Sequence, residues 1–312
     1  MKTLTITFLL MILSIIYLNA EIIELTGDKS NLKINGSFEI EEITSRKVGN
    51  EKYNILQIPG CVNTGIYGEA ELPVYTKLVS LPETGNFEVS KIKYDVEKID
   101  LGKKLIPFGW QDNENTNDEF YLRNKWFPQD IVTISKPNIM RGNRFAQITV
   151  AAVQYNPFQN KIRVFKNVDI EFKIDHSKNE NPLTKTRYSN SFANIAEKNI
   201  YGAEVLRNTD GGQYLFICPD DIALDLAPLL RWKEKLGYKT RVASISETGS
   251  TNDEIKNYLQ NAYDNWETPP EYVVLVGDID GNIIVPTFYV PGGPYSPWDE
   301  TDHSYTLLDG DD

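Results

Sequence analysis

The period at which apolar residues recur changes once along this chain, and that change limits the fold more than any single motif does. From Glu21 to about Asp175, apolar and polar residues alternate in short runs such as SFEIEEI, PVYTKLVSL, NFEVSKIKYDVEKI, FAQITVAAVQY and KIRVFKNVDIEFKI, broken by Gly, Pro, Asn and Asp. A period of two sends successive side chains to opposite faces, which predicts antiparallel strands with one buried face, packed as a β-sandwich. YNPFQNKIRVF predicts a hairpin, because Asn156, Pro157 and Asn160 supply turn geometry between alternating runs. The wholly polar stretch 111–119 predicts an exposed loop.

After Gly212 strands and helices alternate. QYLFICP is a compact apolar strand, and DDIALDLAPLLRWKEKLGY follows with an acidic first turn, the apolar set Leu224, Leu226, Leu229, Leu230 and Trp232, and Gly237 as its stop. TRVASIS is a second strand. Thr251 or Asn252 caps the helix NDEIKNYLQNAYDNW, whose Ile255, Tyr258, Leu259 and Tyr263 recur at helical spacing. EYVVLVGD, apolar at nearly every position, reads as a third strand covered on both faces. The order βαβαβ implies a parallel sheet, so residues 212–312 are expected to be α/β.

Between the two patterns, residues 176–211 carry polar clusters and a Gly-Gly end. They predict a linker with a short helix around Phe192 to Lys198, and they make Lys185, Arg187 and Arg207 candidate sites of proteolytic activation. A solvated tether is the plainer reading of the same residues.

With 312 residues, of which 41% are hydrophobic, the chain has material for two cores. Its 44 acidic against 32 basic residues give a formal charge of -12, which repels phosphate backbones and anionic lipid heads; nucleic acid is not an expected partner. Residues 1–20 place Lys2 before an apolar run ending at Leu18 and close on Ala20, the order of a cleaved export signal. A membrane anchor fits less well, since the run is short, holds Thr5, Thr7 and Ser14, and meets Glu21 at once. Domains are thus expected at 21–175 and 212–312, in a secreted or cell-surface protein free of the membrane after signal removal. Two distant cysteines, Cys61 and Cys218, make no disulfide framework.

Ligands of open α/β sheets sit beyond the carboxyl ends of the strands. Three features reach that edge: Cys218 with Asp220 and Asp221, Gly277 with Asp278, and the loop into the closing stretch TDHSYTLLDGDD. Cys218 near a helix start has the setting of a nucleophile, but the two aspartates oppose a thiolate, and packing explains a cysteine at the end of an apolar strand. His303 has no nucleophile beside it in sequence, and His176 falls in the linker. Gly-x-Ser-x-Gly and His-Glu-x-x-His are both absent. Asp278 with Asp309, Asp311 and Asp312 around Gly310 supplies oxygen donors for a hard cation, and calcium tolerates irregular geometry better than magnesium. On spacing alone, a solvated acidic turn accounts for them equally.

YLFICP, RWKEKLGYKTRVASI, IKNYLQNAYDNW and PPEYVVLVGD, followed by TDHSYTLLDGDD, occur in the order found in the gingipain-type cysteine peptidases, peptidase family C25, and residues 213–312 resemble that family. Upstream, YGEAELPVYTKLVSLPETGNFEV resembles its β-rich propeptide. The resemblance implies a caspase-like fold for the α/β part and a secreted zymogen whose propeptide contacts the peptidase half. It also implies structural calcium at Asp278, the carbonyl of Asp309, and Asp312. The family's catalytic histidine, in a His-Gly context, and its nucleophilic cysteine lie on later strands. Both are expected beyond residue 312, leaving the peptidase domain incomplete at its C-terminus. In such a dyad the histidine deprotonates the thiol, and the thiolate attacks a peptide carbonyl of a protein or peptide substrate. The alternative is a non-catalytic, calcium-binding surface or secretion-associated protein that keeps the fold.

Overall fold

A computed structural model describes residues 23–109, 117–185, 189–204, 212–292 and 297–309. The expected export signal and residues 111–116 of the polar stretch 111–119 lie outside these residues; Asn117 caps a one-turn helix, Asp118–Tyr121, at that stretch's end.

Most of the alternating segments pair into two antiparallel sheets, while Glu42–Val48 and Glu51–Gln57 pair in a separate two-stranded one. One has the strand order Ile23–Gly27, Asn31–Gly36, Lys161–Asp175 and Val153–Asn156, with Asn86–Asp100 also paired to Lys161–Asp175. The other centres on Leu72–Ser80 against Asn143–Ala151, flanked by Val132–Ile134, Val62–Thr64 and Asn138–Met140. Leu32, Ile34, Ile170 and Phe172 of the first sheet and Tyr75, Val79, Ile148 and Val150 of the second enter one core. The expected hairpin forms with Asn156 opposite Lys161, Asn160 in the left-handed region at φ 55°, and Asn156 Oδ1 accepting from Gln159 N at 3.0 Å. Each buried Ile, Leu or Phe contributes about 1.5–3 kcal/mol relative to exposure.

Arg144, 2% exposed, is the polar hub of this sandwich. Nε donates to Asn181 O at 2.7 Å, Nη1 to Pro82 O at 2.9 Å and Gly85 O at 2.6 Å, and Nη2 to Asn86 Oδ1 and Glu180 O, each at 2.7 Å. All five guanidinium donors meet uncharged oxygens, so burial leaves none unsatisfied. Through these bonds the entry of the linker, Glu180–Asn181, is fixed to the sandwich.

The linker continues as a docked element. Its helix, Asn190–Asn199, buries Ala193 and Ala196, and Ile200–Tyr201 then pairs parallel with the sandwich strand Leu72–Ser80. A parallel pair in an antiparallel sheet follows because the helix carries the chain back before it joins the edge.

From Gln213 onward a three-stranded parallel sheet forms in the order Lys239–Ser244, Gln213–Cys218, Pro270–Leu275. Leu215, Phe216, Ile217 and Cys218 of the central strand are fully buried. Pro270–Leu275 was expected to be covered on both faces; among the described residues it is the outer strand, and Val273 is 37% exposed. Thr251 caps the helix Asn252–Asn265 in a capping box with Glu254, and Ile255, Leu259 and Tyr263 are buried. The helix expected after Cys218 is split into a 3-10 turn, Asp220–Leu226, and an α-helix, Ala227–Lys235, because Pro228 has no N–H and suits only a helix start. Its expected apolar core set is not buried: Leu224 is 88% and Trp232 53% exposed, while Lys233 lies over the Tyr214 ring at 4.1 Å. Gly237, at φ 92°, ends it as expected.

Two outcomes follow. Arg144→Lys leaves buried carbonyls unpaired and should lower the unfolding free energy in urea by on the order of 3 kcal/mol; a change within experimental error would show that water replaces these bonds. Burial pushes the Cys61 thiol from its ordinary 9.0 up to about 12, and burial with the Glu51 hydrogen bond pushes Tyr53 from 10.0 up to about 12. The native state therefore keeps protons that the unfolded chain has released. Stability from these groups is fully present below about pH 9 and should fall as pH rises toward 12, read as a declining melting temperature.

Candidate functional site

The central strand of the parallel sheet ends at Cys218, whose thiol is pushed up by burial and then by the charges of Asp220 and Asp221. Asp220 accepts from Ser246 Oγ and, at 3.3 Å, from Ser246 N, and the Ser246 and Ser244 hydroxyls hold it below the usual carboxylate range. A thiolate at Cys218 thus meets apolar walls and fixed negative charge, which leaves it a packing residue. His303 is exposed at the start of the 3-10 turn His303–Thr306, its N–H donating to Thr301 Oγ1 at 3.1 Å.

Beyond the third strand, the chain folds tightly on itself. Asp278 N donates to Ile283 O at 2.7 Å, Val285 N donates to Asp278 O at 2.9 Å, and Asp278 Oδ1 accepts from Ile279 N at 2.7 Å. A Cβ at Gly277 would meet Ile283 O at 2.8 Å, so the close approach needs glycine. Asp278, Glu300 and Asp302 line a cavity of about 230 Å³ with Thr287. Thr287 Oγ1 donates to Asp302 Oδ1 at 2.8 Å. Glu300 and Asp302 were not anticipated; the signal was their two-residue spacing at the end of the strand Trp298–Thr301, which pairs with Phe288–Pro291.

Asp309 lies elsewhere. Its Oδ2 accepts from Tyr263 Oη at 3.1 Å, and it lines a second cavity, of about 430 Å³, with Arg141, Phe192 and Glu271. Asp278 and Asp309 therefore line different cavities, and Asp312 lies outside the described residues. Among the described residues, no three His, Cys, Asp or Glu side chains are grouped to hold a metal. No step below passes through the expected calcium ion.

The second cavity marks where sandwich, linker and parallel sheet meet. The hairpin Asn138–Met140 and Asn143–Ala151 turns at Arg141, φ 49°, and Gly142, φ 83°. Arg141 Nη2 donates to Pro270 O at 2.7 Å and Glu271 O at 3.3 Å, on the edge strand. Its guanidinium also sits 5.5 Å from the Phe192 ring and 5.1 Å from the Tyr263 ring, within cation–π range. The Glu271 side chain, in a residue only 8% exposed, accepts from Ser189 Oγ and from Ser191 N at 3.0 Å, and Tyr272 Oη donates to Ser191 Oγ. Of the expected activation residues, Lys185 is ion-paired to Asp264 at 2.7 Å, whereas Arg187 and Arg207 lie outside the described residues. Sequence patterning missed Arg141 and Glu271, since neither belongs to a recognisable motif.

Residues 21–208 match the family description Propeptide_C25, and residues 207–312 match Peptidase family C25. Lys-gingipain of Porphyromonas gingivalis is 26% identical over 279 residues, 80% of this chain and 16% of that protein. Gingipain R2 of the same organism is 23% identical over 279 residues, 83% of this chain and 38% of that protein. The chain thus spans about a sixth of the length of the first relative. In fold, it resembles a chain of the complex of Porphyromonas gingivalis RgpB pro- and mature domains, with TM-score 0.51 at 19% identity over 59% of this chain and 99% of that one.

If Cys218 and Cys61 are packing residues, iodoacetamide at pH 8 should leave both unmodified in the folded protein and modify both in urea. Rapid labelling of native Cys218 would overturn that assignment.

Proposed function

This chain belongs to peptidase family C25, and on that premise we propose that it is the propeptide and first part of the peptidase domain of an exported cysteine endopeptidase precursor. The sandwich is the covering propeptide, and the parallel sheet is the start of a caspase-like catalytic unit. The histidine and cysteine of the dyad are expected beyond residue 312. The role of the residues in hand is to build the sheet and hold it covered until the linker is cut.

The observation that carries this reading is the clasp at Arg141. A guanidinium from the sandwich donates to two main-chain carbonyls of the sheet's edge strand and is flanked by Phe192 of the linker helix and Tyr263 of the α/β unit. One residue thereby ties the covering body, the linker and the covered body together. The domain division at 175 and 212 is part of the proposal, with one amendment. The helix Asn190–Asn199 and the strand Ile200–Tyr201 go with the sandwich. A cut at Lys185 or Arg187 would leave that strand-paired piece attached to the peptidase half, so Arg207 is the candidate whose cleavage divides the bodies cleanly.

Expression of the extended reading frame tests the proposal. Hydrolysis of peptide substrates should appear on cutting the linker and disappear on thiol alkylation. Arg141→Ala should raise hydrolysis by the uncut precursor about tenfold, equivalent to a loss of about 1.4 kcal/mol from the clasp. A cut, folded and extended protein that hydrolyses no peptide would favour the non-catalytic binding protein instead.

A further inference from the structure

The carboxylate of Glu271 touches the chain at both Ser189–Ser191 and Gly212, on either side of the linker's second half. At one end its Oε1 accepts from the Ser189 hydroxyl and, at 3.0 Å, from Ser191 N, the donors that open the helix Asn190–Asn199. The helix N-terminus and the carboxylate are electrostatically matched, since the unpaired N–H groups there carry partial positive charge. At the other end, Gly212 packs directly on the same side chain, and a Cβ there would overlap Glu271 Oε2. The main chain of Glu271 is in turn gripped by Arg141, and its neighbour Tyr272 donates to Ser191 Oγ. The linker therefore leaves Ser189 and returns to Gly212 at one buried acidic residue, 8% exposed.

We propose that Glu271 is a retention latch: after the chain is cut between Glu204 and Gly212, it keeps the propeptide bound to the peptidase half, so that cutting and separation are separate events. This rests on the precursor reading above and adds a step to it. A cut in that stretch removes none of the bonds between Glu271 and the Ser189–Ser191 turn. It converts an intramolecular contact into one between two chains, whose lifetime then depends on the bonds themselves. The carboxylate matters here as a charged acceptor with little solvent access, because a charge-assisted hydrogen bond to a helix start is stronger than one between neutral groups. Arg141 holds the backbone of the same residue, so the two contacts reinforce each other at a single point of the edge strand.

The test needs no enzymatic activity, which separates its failure from failure of the peptidase reading. The full 312-residue chain is nicked with trypsin, the cut position is read by mass spectrometry, and material cut after Arg207 is diluted and followed by size-exclusion chromatography. The wild-type halves should co-elute. Glu271→Ala should dissociate at least tenfold faster, and Glu271→Gln, which keeps an acceptor without the charge, should fall between. Gly212→Ala, which forces the carboxylate aside without removing it, should also speed separation. It guards against a Glu271 variant that fails to fold before nicking. Wild-type halves that separate at once, or Glu271→Ala and Gly212→Ala halves that stay together as long as the wild type, would overturn the latch.

Discussion

The contact between the sandwich and the strand Pro270–Leu275 sets the terms for what surrounds it. Among the described residues this strand pairs on one side only, with Gln213–Cys218, and main-chain carbonyls there need donors when they are buried. Arg141 supplies those donors from a separate body, and the Arg side chain suits the task because its planar fork reaches two acceptors while its faces stack on aromatic rings. The sandwich, the linker helix and Glu271 all meet at this strand.

The same logic explains why the linker is not a tether. Its amino-terminal part is fixed by Arg144, which binds Glu180 O and Asn181 O, and its later part by the strand pairing of Ile200–Tyr201 with Leu72–Ser80. Composition cannot reveal this, because the residues that anchor it are main-chain groups, and polar side chains on the outside of a docked segment look the same as those of a solvated one. The short helix expected around Phe192 to Lys198 does form, as Asn190–Asn199, with Ala193 and Ala196 buried and Ser189 as its cap.

Other parts of the architecture were readable from the sequence for equally specific reasons. The two-residue period of 143–151 and 161–175 places Ile148, Val150, Ile162 and Val164 inside, and Thr251, one of the two cap candidates, does cap its helix. Legibility failed where a pattern depends on what lies opposite. Among the described residues, Leu224 and Trp232 obey helical spacing but meet no covering layer, and EYVVLVGD is apolar although it is the outer strand. At the strand ends, Asp278 lines a cavity with Glu300 and Asp302, two residues that no local signal in the sequence places beside it.

The strand Asn86–Asp100 runs fifteen residues and pairs, among the described residues, only with Lys161–Asp175. Its far side is a template to which another copy could add a strand, and Ile92, Tyr94 and Val96 along it are exposed. Lys91, Lys93, Asp95, Glu97 and Lys98 alternate with those apolar groups, so any intruding strand must desolvate charges of both signs at nearly every second step. The consequence is colloidal: charges spaced along this margin work against copies of the chain adding to it strand by strand.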